Sequence, residues 1–208
     1  NKMNSEYVII CNAEGKNKIS KDIIDSELSK GKGVCIIDLW GVGENISVNA
    51  KLHTSYPMFF NLSRFALWLG KTTQGIWVND LEVVSKWLQD SYKVQSISIH
   101  ANKEAAIAGL LFSTLDNRVD KLTLVDTPLS YLFDKDGDVN YYSMAIHIPG
   151  ILKWGDLSLA AALSGSDITF INPLSISGRQ LDDIELKSYK KEFDYFNVLY
   201  KKHSNIIF

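Results

Sequence analysis

The sequence predicts an α/β fold, a three-layer α/β/α sandwich built on a mostly parallel sheet. Three observations predict it. Short β-branched runs recur that are apolar without alternation, the pattern of strands buried on both faces. Longer segments with helical spacing stand between them, which makes strand-helix-strand units with right-handed crossovers. The chain has 208 residues, 46% apolar and 22% charged, enough to bury one core at roughly 150 residues per domain. No internal repeat or shift of composition marks a boundary, so residues 1–208 are read as a single domain.

The elements follow in order. Tyr7-Val-Ile-Ile-Cys11 is the first strand candidate, and a helix is expected over Ile19 to Lys30, stopped by Gly31 and Gly33. Val34-Cys-Ile-Ile-Asp38 is the next strand. Asn45 to Gly75 carries aromatics without a clean period and is read as irregular. From Trp77 to Gln89, Trp77, Leu81, Val84 and Leu88 fall at i, i+4, i+7 and i+11 with charges on other faces, an amphipathic helix. Val94 to His100 is a strand. Glu104 to Leu115 is apolar nearly all round, as a central buried helix would be. Leu122 to Val125 is a strand, and Tyr131 to Trp154 is a long connection. Ile168 to Ile171 is a strand, and Leu186 to His203 a helix with Tyr189, Phe193, Phe196 and Tyr200 on one face. The run to Phe208 is strand-like. Long connections in such domains lie over the carboxyl ends of the strands, where ligands bind.

Composition narrows the function. Lys plus Arg is 22 against 24 for Asp plus Glu, a net charge of −2, so no basic excess exists to neutralise a phosphate backbone and nucleic acid is not expected as a partner. No apolar run approaches the ~18 residues of a membrane span. With 2 cysteines, a disulfide scaffold is not expected. Cys11 and Cys35 fall in strand candidates and are read as buried free thiols.

Three segments together resemble the α/β-hydrolase superfamily. Ile36-Ile-Asp-Leu-Trp-Gly-Val-Gly-Glu44 is similar to that family's strand-four exit. Ile97-Ser-Ile-His-Ala-Asn-Lys-Glu-Ala-Ala106, followed by Leu115-Asp-Asn-Arg-Val119, resembles the nucleophile-elbow strand, its helix and the segment after it. His147-Ile-Pro-Gly-Ile-Leu-Lys-Trp-Gly-Asp-Leu157, leading to Ile171-Asn-Pro-Leu-Ser175, resembles bacterial acetyl-xylan-esterase-like hydrolases. The resemblance implies a truncated α/β-hydrolase fold that begins at the third strand, with the first two upstream of Asn1, and a strand order of 4-3-5-6-7-8. A flavodoxin-like α/β protein is the weaker alternative. It also implies a secreted or periplasmic setting.

The same alignment implies a degenerate site. The elbow needs Gly-x-Ser-x-Gly, with small residues where the backbone approaches closely. Here the frame is Ala101-Asn102-Lys103-Glu104-Ala105: the small positions survive as alanines, and Lys103 stands where the serine would. An ammonium is no acyl-transfer nucleophile unless its pKa is strongly lowered, and Glu104 favours its charged form. The bland reading makes Asn102 the helix N-cap, Glu104 a partner of the helix dipole and Lys103 a solvated side chain. At the acid position stands Ser175, which cannot stabilise an imidazolium; Asp182 and Asp183 lie further on. The catalytic histidine should follow the last strand, and His203 precedes it. Asn12-Ala-Glu-Gly-Lys16 occupies the loop that in relatives donates an oxyanion-hole amide. No catalytic residue is assigned. Asn12, Glu14, Gly15, Asn102, Lys103 and Ser175 are the candidate binding residues.

Other signals are weaker. His100 reads as a strand-end histidine, while His53 and His147 are isolated and lack metal spacing. Asp134-Lys-Asp-Gly-Asp-Val-Asn140 has its glycine fourth rather than sixth, so it reads as an Asp-Gly turn, not a calcium loop. Gly41-Val-Gly43 lacks the third glycine of a dinucleotide fingerprint. Neither cofactor nor metal is expected. Asn45-Ile-Ser47 and Asn61-Leu-Ser63 are glycosylation sequons. The favoured function is a catalytically silent binding, scaffolding or interface module of a larger, bacterial protein. Trp40, Tyr56, Phe59, Phe60, Tyr141, Tyr142 and Trp154 are available to line a groove for sugar rings or a partner domain. The alternative is an active esterase with a displaced nucleophile, Ser98 or Ser177.

Overall fold

A computed structural model of the chain describes residues 4–46, 56–135 and 137–208. The readings placed on Asn1 to Met3, His53, Ser47 of the first sequon and Asp136 of the Asp-Gly turn lie outside them. The strands are β1 (Glu6–Asn12), β2 (Gly33–Ile37), β3 (Ser96–Asn102), β4 (Val119–Val125), β5 (Asp167–Ile171) and β6 (Ile206–Ile207). The helices are α1 (Lys21–Ser29), α2 (Phe60–Trp68), α3 (Thr73–Tyr92), α4 (Glu104–Ser113), α5 (Leu157–Ser164) and α6 (Asp183–Leu199).

All pairings are parallel, in the order β2-β1-β3-β4-β5-β6. This is the expected 4-3-5-6-7-8. A flavodoxin-like sheet shares the arrangement over its first five strands, so the sixth strand and the β3–α4 elbow described below carry the distinction.

Handedness decides which face each helix takes. The steps β2 to β3, β4, β5 and β6 all advance the same way across the sheet, so right-handed crossovers set α3, α4, α5 and α6 on one face. The step β1 to β2 runs backwards and sends α1 to the other. The core accordingly joins Ile9, Ile99, Leu122 and Phe170 of the first face to Trp77, Phe112, Ala161 and Phe193 of the helices, with nothing from α1. Val8 and Ile10 are buried on the α1 face. Beyond them that face presents Lys121, Asp167, Ile171 and Ile207 to solvent, so its helical layer is confined to α1 among the described residues.

Local chemistry sets the boundaries. Ser20 caps α1 through the Asp22 amide, and Gly31, at φ 77°, lets the chain leave. Thr72 caps α3 through the Gly75 amide at 3.0 Å, which starts that helix four residues before its periodic stretch. Asp182 and Glu185 form a capping box on α6. That helix ends at Leu199, so His203 is not in its last turn as expected, but in the link to β6. The segment 45–75, read as irregular, contains α2, and α5 was also not anticipated.

Cys11 and Cys35 sit on adjacent strands but out of step, Cys11 beside Ile37 and Cys35 beside Ile9. Both are free, and burial pushes the Cys11 thiol up to about 12.

Candidate functional site

β3, β4 and β5 are each followed directly by a residue with positive φ and a side chain: Lys103 (52°), Asp126 (50°) and Asn172 (51°). Such backbone costs on the order of 1–3 kcal/mol per residue and gathers where a site is built. Lys103, with ψ −128°, makes the sharp strand-to-helix bend of a nucleophile elbow. Ala101 and Ala105 beside it are fully buried, which accounts for small residues at both places.

Two expectations at the elbow are corrected. Asn102 is not the N-cap of α4. It remains in β3, and its amide nitrogen donates to Asp126 Oδ2 at 3.1 Å. Lys103 takes the cap position with no side-chain hydrogen bond to the helix. Nor is Lys103 freely solvated: its side chain is 30% exposed and its Nζ lies 2.9 Å from Glu14 Oε1. Strand register explains the meeting, since Asn12 pairs with Asn102 and the two strand exits rise side by side. The Glu14 hydrogen bond raises the lysine pKa above its ordinary value, and the ammonium lowers that of Glu14. Glu104 is buried, 3% exposed, and its carboxylate accepts the Ser143 amide, tying α4 to the loop over the site.

The Asn12–Lys16 turn is held at both ends. Asn12 Oδ1 accepts the Glu14 amide at 2.8 Å, and the Asn12 carbonyl accepts the Gly15 amide at 3.0 Å. Gly15 has φ 100°, and a Cβ there would stand 3.2 Å from Gly43 Cα, so glycine is required. Directly after β2, Asp38 Oδ1 accepts the Lys16 amide at 2.6 Å and Oδ2 the Glu44 amide at 3.0 Å. In the sequence Asp38 shows only as part of the strand-exit pattern, because the turn it positions lies 22 residues upstream. Asp38→Ala is expected to cost about 1–2 kcal/mol in urea denaturation, since two amides lose an anionic acceptor at a partly solvated place. The Lys16 and Glu44 amide signals should shift most.

A cavity of about 520 Å³ opens over the elbow, lined among others by Glu14, Lys103, Tyr56, Met58, Asn140 and Tyr141. The candidate set therefore divides. Glu14 and Lys103 line this cavity. Asn12, Gly15 and Asn102 lie behind it and hold its frame. Ser175 belongs elsewhere: it is 7% exposed, shares a 2.9 Å hydrogen bond with Ser177 and lines a second cavity. The aromatic set also divides. Phe59 is core, Tyr142 is buried in the cavity wall, Trp40 packs against the core, and Trp154 is exposed away from the cavity lining. Tyr56 and Tyr141 remain half-exposed at the cavity, Tyr56 stacked on Phe60 at 4.6 Å. Asp126, which accepts from Asn102 and from Asn172 Nδ2 (2.6 Å), was not singled out from sequence; its one signal was an Asp directly after a strand.

No histidine is hydrogen-bonded to a serine hydroxyl or a carboxylate among the described residues. His100 is inside β3, and burial lowers its pKa. His147 and His203 are exposed. Asp182 is spent as a helix cap. Ser98 accepts from Lys32 Nζ at 3.0 Å. Asp134, first of the Asp-Gly turn, hydrogen-bonds Ser177 and pairs with Arg179 at 2.8 Å. Among the described residues no cluster of His, Cys, Asp or Glu is suited to a metal. Ser63 of the second sequon is buried and donates to the Met144 carbonyl at 2.8 Å. No described helix is long and apolar enough to cross a membrane.

No protein-family model and no curated protein matches the chain by sequence. Solved structures do match. A protein from Bacteroides fragilis assigned as an acetyl xylan esterase superposes with TM-score 0.64 at 16% identity, over 100% of this chain and 59% of that one. The esterase Pf2001 of Pyrococcus furiosus gives 0.60 at 13%, over 98% and 72%. Est1E of Butyrivibrio proteoclasticus, solved with ferulic acid, gives 0.53 at 10%, over 100% and 80%. The chain thus spans less than two thirds of the first of these proteins, and what it shares with all three is the α/β-hydrolase fold.

Proposed function

We propose that this is a non-hydrolytic α/β-hydrolase-like domain, a binding module of a larger bacterial protein, whose cavity over the elbow takes a carbohydrate ring. The observation that carries the reading is the Lys103–Glu14 ion pair at the elbow. A protonated lysine held by a carboxylate has no lone pair to offer an ester, and nothing found among the described residues would deprotonate it. The cavity walls suit a polyhydroxylated ring. Tyr56 and Tyr141 offer half-exposed aromatic faces, and Glu14, Lys103 and Asn140 supply hydroxyl-binding donors and acceptors. A balanced ion pair favours a neutral ligand over a strongly charged one.

The competing reading, an active esterase using Ser98 or Ser177, lacks support from hydrogen bonding. Ser98 is tied to Lys32, and Ser177 to Ser175 and Asp134. Xylo-oligosaccharides, plain and acetylated, are the probes of the proposal. They should give saturable shifts in amide spectra around Lys103 and Tyr141. Tyr141→Ala should weaken binding by about tenfold, as loss of one stacking ring does at roughly 1–1.5 kcal/mol. Absence of saturable binding would remove the carbohydrate. Labelling of a serine by a fluorophosphonate would remove the claim of silence.

A further inference from the structure

A second cavity, of about 340 Å³, lies between the loop after β4, the loop after β5 and the first turns of α6. Its character differs from that of the cavity over Lys103. The charged residues in its wall are Asp134, Glu185 and Glu192, with no basic residue. Arg179, outside the wall, engages two of them, Asp134 at 2.8 Å and Glu185 at 2.7 Å. Glu192, also in the wall and otherwise exposed, has no ion pair among the described residues.

The deep wall supplies an independent sign. Tyr189 lines the cavity and is 7% exposed, yet its hydroxyl has no hydrogen-bond partner among the described residues. Buried hydroxyls are normally paired, and leaving one unpaired is costly. The ring packs edge-on to Phe170 at 5.8 Å and to Phe208 at 6.0 Å. Burial pushes the hydroxyl pKa up, and the carboxylates of Asp156 and Glu192 add to the rise; Asp156 is taken up by Ser130 and by the Tyr131 amide at 2.9 Å. The mouth is apolar: Leu132 is 68% exposed and Phe133 57%. Large apolar side chains left in water around a concavity mark a binding surface.

We propose that this cavity binds a small organic cation, a primary ammonium carried on an apolar chain. The ammonium would donate to Glu192 and to the orphaned Tyr189 hydroxyl. The chain would lie against Leu132 and Phe133, whose ring face also attracts a cation. An anion would meet the unpaired carboxylate and be repelled, and a neutral alcohol would leave that charge unanswered. The site is separate from the cavity over Lys103, and the proposal does not depend on carbohydrate binding there.

The test is titration of the whole chain with hexylammonium, hexan-1-ol and hexanoate, followed through the amide signals of Leu132, Phe133 and Glu192. Hexylammonium should bind about tenfold more tightly than hexan-1-ol, the discrimination one charge-assisted hydrogen bond supports, and hexanoate should not bind. Glu192→Gln should bring the amine and the alcohol to within about threefold of each other. Tyr189→Phe should weaken the amine alone, with the amide spectrum checked for an unchanged fold. Equal affinity for amine and alcohol, no binding of the amine, or amine binding indifferent to Glu192→Gln would each overturn the proposal.

Discussion

Trp77→Ala is expected to destabilise the domain by about 3–5 kcal/mol, the range for removing a fully buried aromatic. Trp77 is 0% exposed and packs edge-on against Phe59, with ring centroids 5.5 Å apart and planes at 88°. Its indole Nε1 donates to the Trp40 carbonyl at 2.9 Å, so truncation leaves a cavity and also an acceptor without its donor. Against a total stability of roughly 5–15 kcal/mol, that is a large share. The melting temperature should fall by roughly 10–15 °C for a chain of this size. The damage should reach the site. Phe59 sits at φ 65°, a strained value for a residue with a side chain, and the Trp77 contact helps hold it there. Phe59 in turn starts α2 and stands beside Pro57 and Met58 of the cavity wall. Trp77→Phe keeps most of the apolar contact and loses the donor, so it should cost clearly less. A truncation as mild as the phenylalanine variant in chemical denaturation would mean that this contact does not organise the wall.

The sheet was readable from sequence because its strands are continuous β-branched runs, and their order then follows from handedness and the elbow pattern. The two unanticipated helices share one physical reason: polar and apolar residues do not sort onto opposite faces. α2 shows Phe65, Leu67 and Trp68 to solvent while Ser63 is buried. α5 is eight residues of Leu, Ala and Ser, which cannot be told from a buried strand by period. Its real signals were Asp156 before it and Gly165 after it, a cap and a left-handed stop at φ 70°. Asn102 was misplaced because a capping rule sees only the chain. Pairing with Asn12 and Val125 keeps the residue in the sheet, and the helix starts one position later. Lys103 was read as solvated for a related reason. Its partner Glu14 is 89 residues away, and only the β1–β3 register brings the two together. Ser175 was legible as a departure from the family's acid, but nothing local told that its neighbour in space is the second cavity. Tyr189 was placed correctly on the inner face of α6, while its unpaired hydroxyl is visible only once the opposite wall is in place.

Lys103→Ser is expected to yield no esterase, although it places a hydroxyl at the elbow. The backbone is already bent, and Ala101 and Ala105 already leave the close approach clear, so the serine would be presented much as a nucleophile is. A hydroxyl at neutral pH still needs a base to take its proton, and the base needs an orienting carboxylate. Of the described histidines, His100 is inside the strand with its pKa lowered by burial, and His147 and His203 are exposed and bonded to neither a serine nor a carboxylate. In a serine protease, loss of nucleophile or of base alone costs on the order of 10⁶ in kcat, about as much as losing the whole triad. A hydroxyl supplied without a base and an orienting carboxylate is therefore expected to recover almost nothing. With p-nitrophenyl acetate, the native chain and Lys103→Ser should both run at the buffer rate. Lys103→Ala, which removes the Glu14 pairing as well, should do the same. A native rate well above buffer that Lys103→Ala abolishes would make Lys103 itself the reacting group. A burst of product from Lys103→Ser would mean that a base stands within reach of the elbow. Either result would return the domain to the hydrolases in function as well as in fold.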